Sequence, residues 1–252
     1  MIASTRRYSL CVLAIAKNEG MIIKEWIDHY LWQGVEHFYI IDNGSTDNMS
    51  QVLEPYIQKG LVSLYKLEGR KQVQHYNTVY NKYIKKHTDW LLVCDIDEYV
   101  YHRQKGKTLK SFVKAVNRNH VASITLHWKM FGSSGYHQQP KQLRKAFVWR
   151  KRDIDTNVKQ IVNTKYVVSL DIHKHKMKQG PVNIVNPKEL ALNHYPIMSK
   201  EYFEKIKMTR GDGSTDQQSY QTLRNWNYFK QYDHYELYDD ELSTLVPKCQ
   251  KI

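Results

Sequence analysis

The first 95 residues alternate continuous apolar runs with segments of helical periodicity, and this alternation limits the possible folds more than any other feature. "YSLCVLAIA" (8–16), "HFYII" (37–41), "LVSLYKL" (61–67) and "WLLVC" (90–94) read as buried strands. From about Gly20 to Gln33, residues Ile22, Ile23, Trp26, Ile27, Tyr30 and Leu31 make one apolar stripe opposite Lys24, Glu25 and Asp28. Trp26 and Tyr30 read as core residues. The cluster "DNGSTDN" offers Ser45, Thr46 or Asp47 as the cap of a helix reaching about Gln58. A third helix, from about Lys71 to Lys86, is expected to bury Val73, Tyr76, Tyr80 and Tyr83. Four such repeats predict an α/β fold with a mainly parallel sheet flanked by helices.

In such sheets ligands bind beyond the carboxyl ends of the strands. Polar groups gather at those ends: Lys17-Asn18-Glu19, then Asp42-Asn43, then Glu68 and Arg70, then Asp95-Ile96-Asp97. The last is the most informative, because an apolar strand runs straight into acids. If the strand stays extended, Asp95 and Asp97 share a face and Ile96 takes the other. Adjacent carboxylates raise each other's pKa unless a cation joins them. Their hard oxygens suit Mg²⁺ or Mn²⁺, ions that bridge to a substrate phosphate. The stretch therefore predicts a divalent-metal site for a nucleotide diphosphate. Its plain alternative is a pair of solvated acids closing a turn. An EF-hand is excluded, since Val100 stands where that loop needs glycine.

The second half is less regular. A helix near 108–118 leads to a strand "ASITLHWKM", a loop "FGSSGYHQQP" and short strands near 147–151 and 166–170. From 199 the pattern is helical and polar, with a break at "RGDGSTD". This divides the chain into a domain over 1–198 and a helical extension over 199–252 packed on it. The net charge of +13 favours phosphorylated substrates, polyanions or an anionic membrane surface. Cys11, Cys94 and Cys249 are an odd, unpaired set, and the first two lie in apolar runs as small core residues. No apolar run approaches the roughly 20 residues of a membrane span, and the amino-terminal segment does not read as a signal peptide. A cytoplasmic protein, or one peripheral to a membrane, is expected.

Taken in order, "AIAKNEGMIIKEWIDHYLWQGVEHFYIIDNGSTDN", "GRKQVQHYN", "DWLLVCDIDEY" and "WKMFGSSGYH" resemble the signatures of GT-A-fold glycosyltransferases, above all family 92 and its relatives in the family 2 superfamily. The resemblance spans about residues 8–210. It implies a Rossmann-like GT-A fold and a hexosyl- or deoxyhexosyltransferase. Such an enzyme takes a nucleotide-sugar, usually a UDP-sugar, with Mn²⁺ or Mg²⁺, and moves the sugar to a hydroxyl of a glycan or glycoprotein. Ala16, Lys17 and Glu19 match the first-strand end that lines nucleobase and ribose. Asp42 matches a nucleotide-contacting acid, with Asn43 where many relatives carry a second one. Arg70 and Asn77 match residues near base or diphosphate. Asp95 and Asp97 match the DxD metal motif. Trp128, Gly132, Ser133, Ser134 and Gly135 match a substrate-side loop. His173 matches a histidine that completes the metal shell. His194-Tyr195 and "SKEYFEKIKMTRG" match the family's C-terminal signature.

Several of these residues also have plainer readings. Asp42 can open an Asx turn, Arg70 can pair with Glu68, and Asn77 can be a solvated helix residue. Lys159, Lys174 and Lys176 are candidates for charge on the leaving diphosphate. Inversion, favoured by analogy with family 2, needs a carboxylate base. Asp153, Asp155 and Asp171 lie in the appropriate half, and the sequence does not choose among them. A sugar nucleotidyltransferase would show a glycine-rich loop where this chain has "AKNEG". A nucleic-acid-binding protein would concentrate its Lys and Arg or show a binding signature, and neither is found.

Overall fold

The computed structural model describes residues 7–117, 120–210 and 224–247. The four repeats are realised as β1 (Tyr8–Ala16), α1 (Ile23–Trp32), β2 (His37–Asp42), α2 (Met49–Gln58), β3 (Val62–Lys66), α3 (Gln72–Val79) and β4 (Thr88–Val93). A π turn, Tyr80–Ile84, extends α3. Strand β1 pairs in parallel with β2 and β4, and β2 with β3. Alternation along β1 divides the core. Leu10, Val12 and Ala14 pack with Trp26 and Ile27 on one face, while Cys11 and Leu13 pack with Tyr76, Val79 and Tyr80 on the other. Both faces are covered, which is why these strands read as unbroken apolar runs. Cys11 and Cys94 are buried free thiols. Val73 departs from expectation: it stands in the first turn of α3 and is exposed, and the buried stripe begins at His75 and Tyr76.

Beyond β4 come β5 (Glu98–His102), α4 (Leu109–Val116), β6 (Val121–His127), β7 (Lys129–Met130), α5 (Leu143–Ala146) and β8 (Trp149–Arg150). The expected strand over 122–130 is thus broken at Trp128. Next follow β9 (Val158–Asn163), β10 (Val167–Ser169), β11 (Lys176–Met177), β12 (Val182–Val185) and β13 (Leu190–His194). The main sheet runs β12-β6-β9-β4-β1-β2-β3. Its one reversed strand, β9, lies antiparallel between β6 and β4. A smaller sheet, β5-β13-β7, packs beside it.

After Ser199, α6 (Lys200–Tyr202) widens into a π turn, Phe203–Lys207. The last described stretch holds α7 (Trp226–Tyr232), β14 (Leu237–Tyr238) and α8 (Glu241–Leu245). Strand β14 pairs with β8, and Asp239 binds both Lys129 and Arg150, so this stretch is fastened by a strand pair and buried ion pairs as well as by helices. The expected break after Arg210 and Cys249 lie outside the described residues. No described helix is long and apolar enough to cross a membrane.

Candidate active site

Strand β4 ends at Val93, and residues 95–97 form a turn into β5. Strand alternation therefore does not orient Asp95 and Asp97; the turn does. The apolar stripe of α1 holds it from beneath. The Trp26 indole N–H donates to the carbonyls of Asp95 (3.0 Å) and Glu98 (3.1 Å). The Tyr30 hydroxyl donates to the Glu98 carbonyl (3.0 Å) and accepts from Val100 N–H (3.1 Å). The Glu98 side chain is sealed below, where it accepts the Asp95 amide (2.8 Å), and burial pushes its carboxyl well above the usual range. Asp95 and Asp97 face a cavity of about 290 Å³ beyond the ends of β1 and β4.

Each carboxylate in that cavity meets a cation from elsewhere in the chain. Asp95 Oδ2 lies 2.9 Å from Lys159 Nζ on β9. Burial would lower the Lys159 pKa, but Asp95 and Glu98 override it and hold the ammonium above its ordinary range. Asp97 Oδ2 is paired with Lys207 of the π turn. Its Oδ1 is buried without a hydrogen-bond partner, 3.6 Å from His194 Nε2. Burial would raise the Asp97 pKa; Lys207 and His194 instead hold it below the usual carboxylate range. Glu19, buried in the loop between β1 and α1, accepts from the Tyr202 hydroxyl and pairs with Arg210. Lys17, Gln72, Arg224 and Asn43, whose buried Oδ1 is unpaired, complete the polar lining. Trp128 stands between two imidazoles, with ring centroids 4.2 Å from His194 and 5.4 Å from His173. A larger cavity of about 410 Å³, beside Lys24, Asp28 and Gln139, includes neither Asp95 nor Asp97.

The sequence profile of glycosyltransferase family 92 matches residues 6–241. The chain belongs to that family. Family 92 proteins of Arabidopsis thaliana and Ricinus communis are 25% identical over 203 residues and 26% identical over 206 residues. These matches cover 75% and 79% of this chain but only 35% and 37% of those relatives, so the chain spans about a third of their length. Among solved structures, S. aureus TarS 1–349 aligns with a TM-score of 0.49 at 13% identity, over 88% of this chain and 73% of that one. The same protein in complex with UDP aligns with a TM-score of 0.39 at 22% identity, over 54% of this chain and 39% of that one.

Of the residues matched to the family by sequence, Ala16, Lys17, Glu19, Asp95, Asp97, Trp128, His173 and His194 line the cavity. Asp42, Arg70, Asn77 and Ser134 do not. Asp42 closes the turn after β2 by accepting Ser45 N–H (2.8 Å), three residues on, and its neighbour Asn43 reaches the cavity instead. Arg70 is exposed in the loop before α3. Asn77 bridges α3 to Leu170, exchanging 2.9 Å bonds with that residue's amide and carbonyl. Ser134 accepts the amides of Val148 and Trp149. Its loop is packed on 233–235 so closely that a Cβ at Gly132 would lie 2.6 Å from the His234 backbone.

The three proposed bases fare no better. Asp153 is exposed, Asp155 accepts Asn157 N–H (2.8 Å), and exposed Asp171 accepts the amide of Ile172 (2.6 Å). The imidazole facing Asp97 is that of His194, not His173. Strand β13 pairs with β5 in the register that sets His194 opposite Glu98, and that distant pairing leaves no local trace in sequence. Lys207, Arg210 and His194 lay within quoted C-terminal signatures but carried no assigned role. Their signal was cations at helical spacing, Lys207 and Arg210 being three apart.

Proposed function

We propose that this chain transfers a sugar from a nucleotide-sugar, a UDP-sugar in particular, to a hydroxyl of a glycan or glycoprotein. The observation that carries this reading is the cavity at the strand ends, where four cations (Lys17, Lys207, Arg210 and Arg224) surround three carboxylates (Glu19, Asp95 and Asp97). With Lys159 beneath Asp95, the balance favours a diphosphate. Asn43 and Gln72 offer amide groups to a nucleobase at the β1–β2 side. The cationic side chains stabilise charge that develops on the departing diphosphate, and Lys159, Lys207 and Arg210 are held by ion pairs before substrate arrives.

The residues also fit a divalent ion. The buried, unpaired Asp97 Oδ1 and the His194 Nε2 that lies 3.6 Å from it would hold Mn²⁺ or Mg²⁺, an oxygen and a nitrogen ligand suited to either. Among the described residues no three His, Cys, Asp or Glu side chains gather to hold an ion unaided, so phosphate oxygens and water would fill its other positions. The ion would supply Lewis-acid charge against the diphosphate. Asp95 stays with Lys159 in this reading.

Thermal unfolding with UDP, with and without Mn²⁺, tests both parts. A larger rise in Tm with both than with UDP alone is expected, since binding to the native state alone adds about 2.7 kcal/mol at 100 times Kd. Equal shifts would remove the bridging ion, and no shift with UDP under either condition would remove the donor. Release of UDP from a panel of UDP-hexoses then identifies the sugar.

A further inference from the structure

We infer that His173 is the general base of the transfer, its Nε2 accepting the proton of the acceptor hydroxyl. The inference rests on the donor reading above and assigns the one role that reading leaves unfilled. Each carboxylate lining the cavity is already committed to a cation: Glu19 to Arg210, Asp95 to Lys159 and Asp97 to Lys207. The acids of the expected kind, Asp153, Asp155 and Asp171, do not line it. His194 is engaged with Asp97, and its Nδ1 is buried.

His173 is arranged differently. Its Nδ1 lies 3.3 Å from the carbonyl of Val158. A carbonyl only accepts, so Nδ1 carries the proton and Nε2 presents a lone pair. No described residue hydrogen-bonds to Nε2, and His173 lines the cavity. Strand β9 holds the residue at two points, through Val158 and through Lys159, whose ammonium donates to the Ile172 carbonyl (3.1 Å). The edge of the ring meets Trp128, whose other neighbour is His194 beside Asp97. The base and the diphosphate end of the site are thereby set apart by one indole. Burial, and then Lys159, lower the His173 pKa, so the imidazole is neutral and able to accept.

The step balances. The acceptor O–H proton passes to Nε2 as the oxygen bonds to the anomeric carbon. The bond from that carbon to the diphosphate oxygen breaks, and its electron pair leaves on the nucleoside diphosphate. The imidazolium then returns its proton to water. Attack from the face opposite the leaving group inverts the anomeric centre.

The test uses the full chain and its His173→Ala and His173→Gln variants. The donor is the UDP-hexose that wild type turns over fastest; the acceptors are water and a panel of methyl glycosides. UDP release and UDP affinity with Mn²⁺ are both measured. The expected result is a kcat lower by about 100-fold or more in both variants, UDP affinity within about twofold of wild type, and partial recovery of the His173→Ala rate with added imidazole. Turnover near wild type in His173→Ala overturns the proposal. So does a rate loss matched by lost UDP or Mn²⁺ affinity, which marks a ligand of donor or metal, and so does a rate loss that imidazole leaves unchanged. Wild type that binds no UDP overturns the donor reading itself.

Discussion

The site is assembled from two halves of the chain that reach it by different routes. From the first half come Ala16, Lys17, Glu19, Asn43, Asp95 and Asp97, all within a few residues of the carboxyl end of a parallel strand. From the second come Lys159, His173, His194, Lys207 and Arg210, carried by a reversed strand, a bend, a strand of the small sheet, a π turn and the residues just after that turn. The first set supplies the anions and the second most of the cations and both imidazoles. A site of this kind is complete only when the halves are registered on each other, and of the pairs that cross between them Asp97–Lys207 is buried on both sides. Such pairs are worth little net stability while intact, but removing one partner strands a charge.

The strongest way to break this arrangement is Asp97→Asn. It leaves the Lys207 ammonium buried without its anion, and a loss of about 3 kcal/mol in stability is expected from denaturant unfolding. UDP release should fall by about 100-fold or more, as for other lost electrostatic contacts of a reacting site. Stability and turnover near wild type would show that this crossing carries no weight.

Acid should loosen the second half selectively through His175, which is buried against β9 and accepts the Asp171 amide. Burial, and then Lys159, hold its imidazole down to about 4. Unfolded, it takes up a proton near pH 6.5, so between these values the unfolded chain binds more protons. Its contribution is full above about pH 6.5 and is lost as pH falls toward 4, by roughly 3 kcal/mol in all. Unfolding free energies measured from pH 7 to 4 should fall less steeply in His175→Gln than in wild type. Equal slopes would mean that this imidazole is not buried neutral.

Smaller changes sharpen the comparison. Asn77→Ala cuts the bonds that join α3 of the first half to Leu170 of the second, at about 2 kcal/mol of stability. UDP affinity should be unchanged; a matching loss of affinity would return Asn77 to the nucleotide site. Trp26→Phe stays within the first half and removes the donor beneath the DxD turn, at about 1 kcal/mol. The smallest effect is expected for Asp153→Asn, within about 0.5 kcal/mol and with turnover unaltered. A 100-fold slower variant would instead restore that carboxylate as the base.

The sequence by itself determined the α/β class, the four parallel repeats, the two-faced core around β1 and the position of the acids at the strand ends. These follow from periodicity within each segment and from the rule that parallel strands open their ligand site at their carboxyl ends. Even the core roles of Trp26 and Tyr30 were legible, because a stripe at helical spacing has one place to go. The tertiary structure decided how the acids are answered. Which histidine faces Asp97 depends on the β13–β5 register, and a register between distant strands is set by the packing of both against everything else. Strand β9 lies reversed between two partners, which puts Lys159 under Asp95 although they are 64 residues apart. Asp42, Asn77 and Ser134 carried polar side chains at plausible places, but backbone groups, near in sequence for Asp42 and far away for Asn77, captured them first. A short polar side chain binds whichever amide or carbonyl the fold brings nearest, and one-dimensional spacing does not say which that will be.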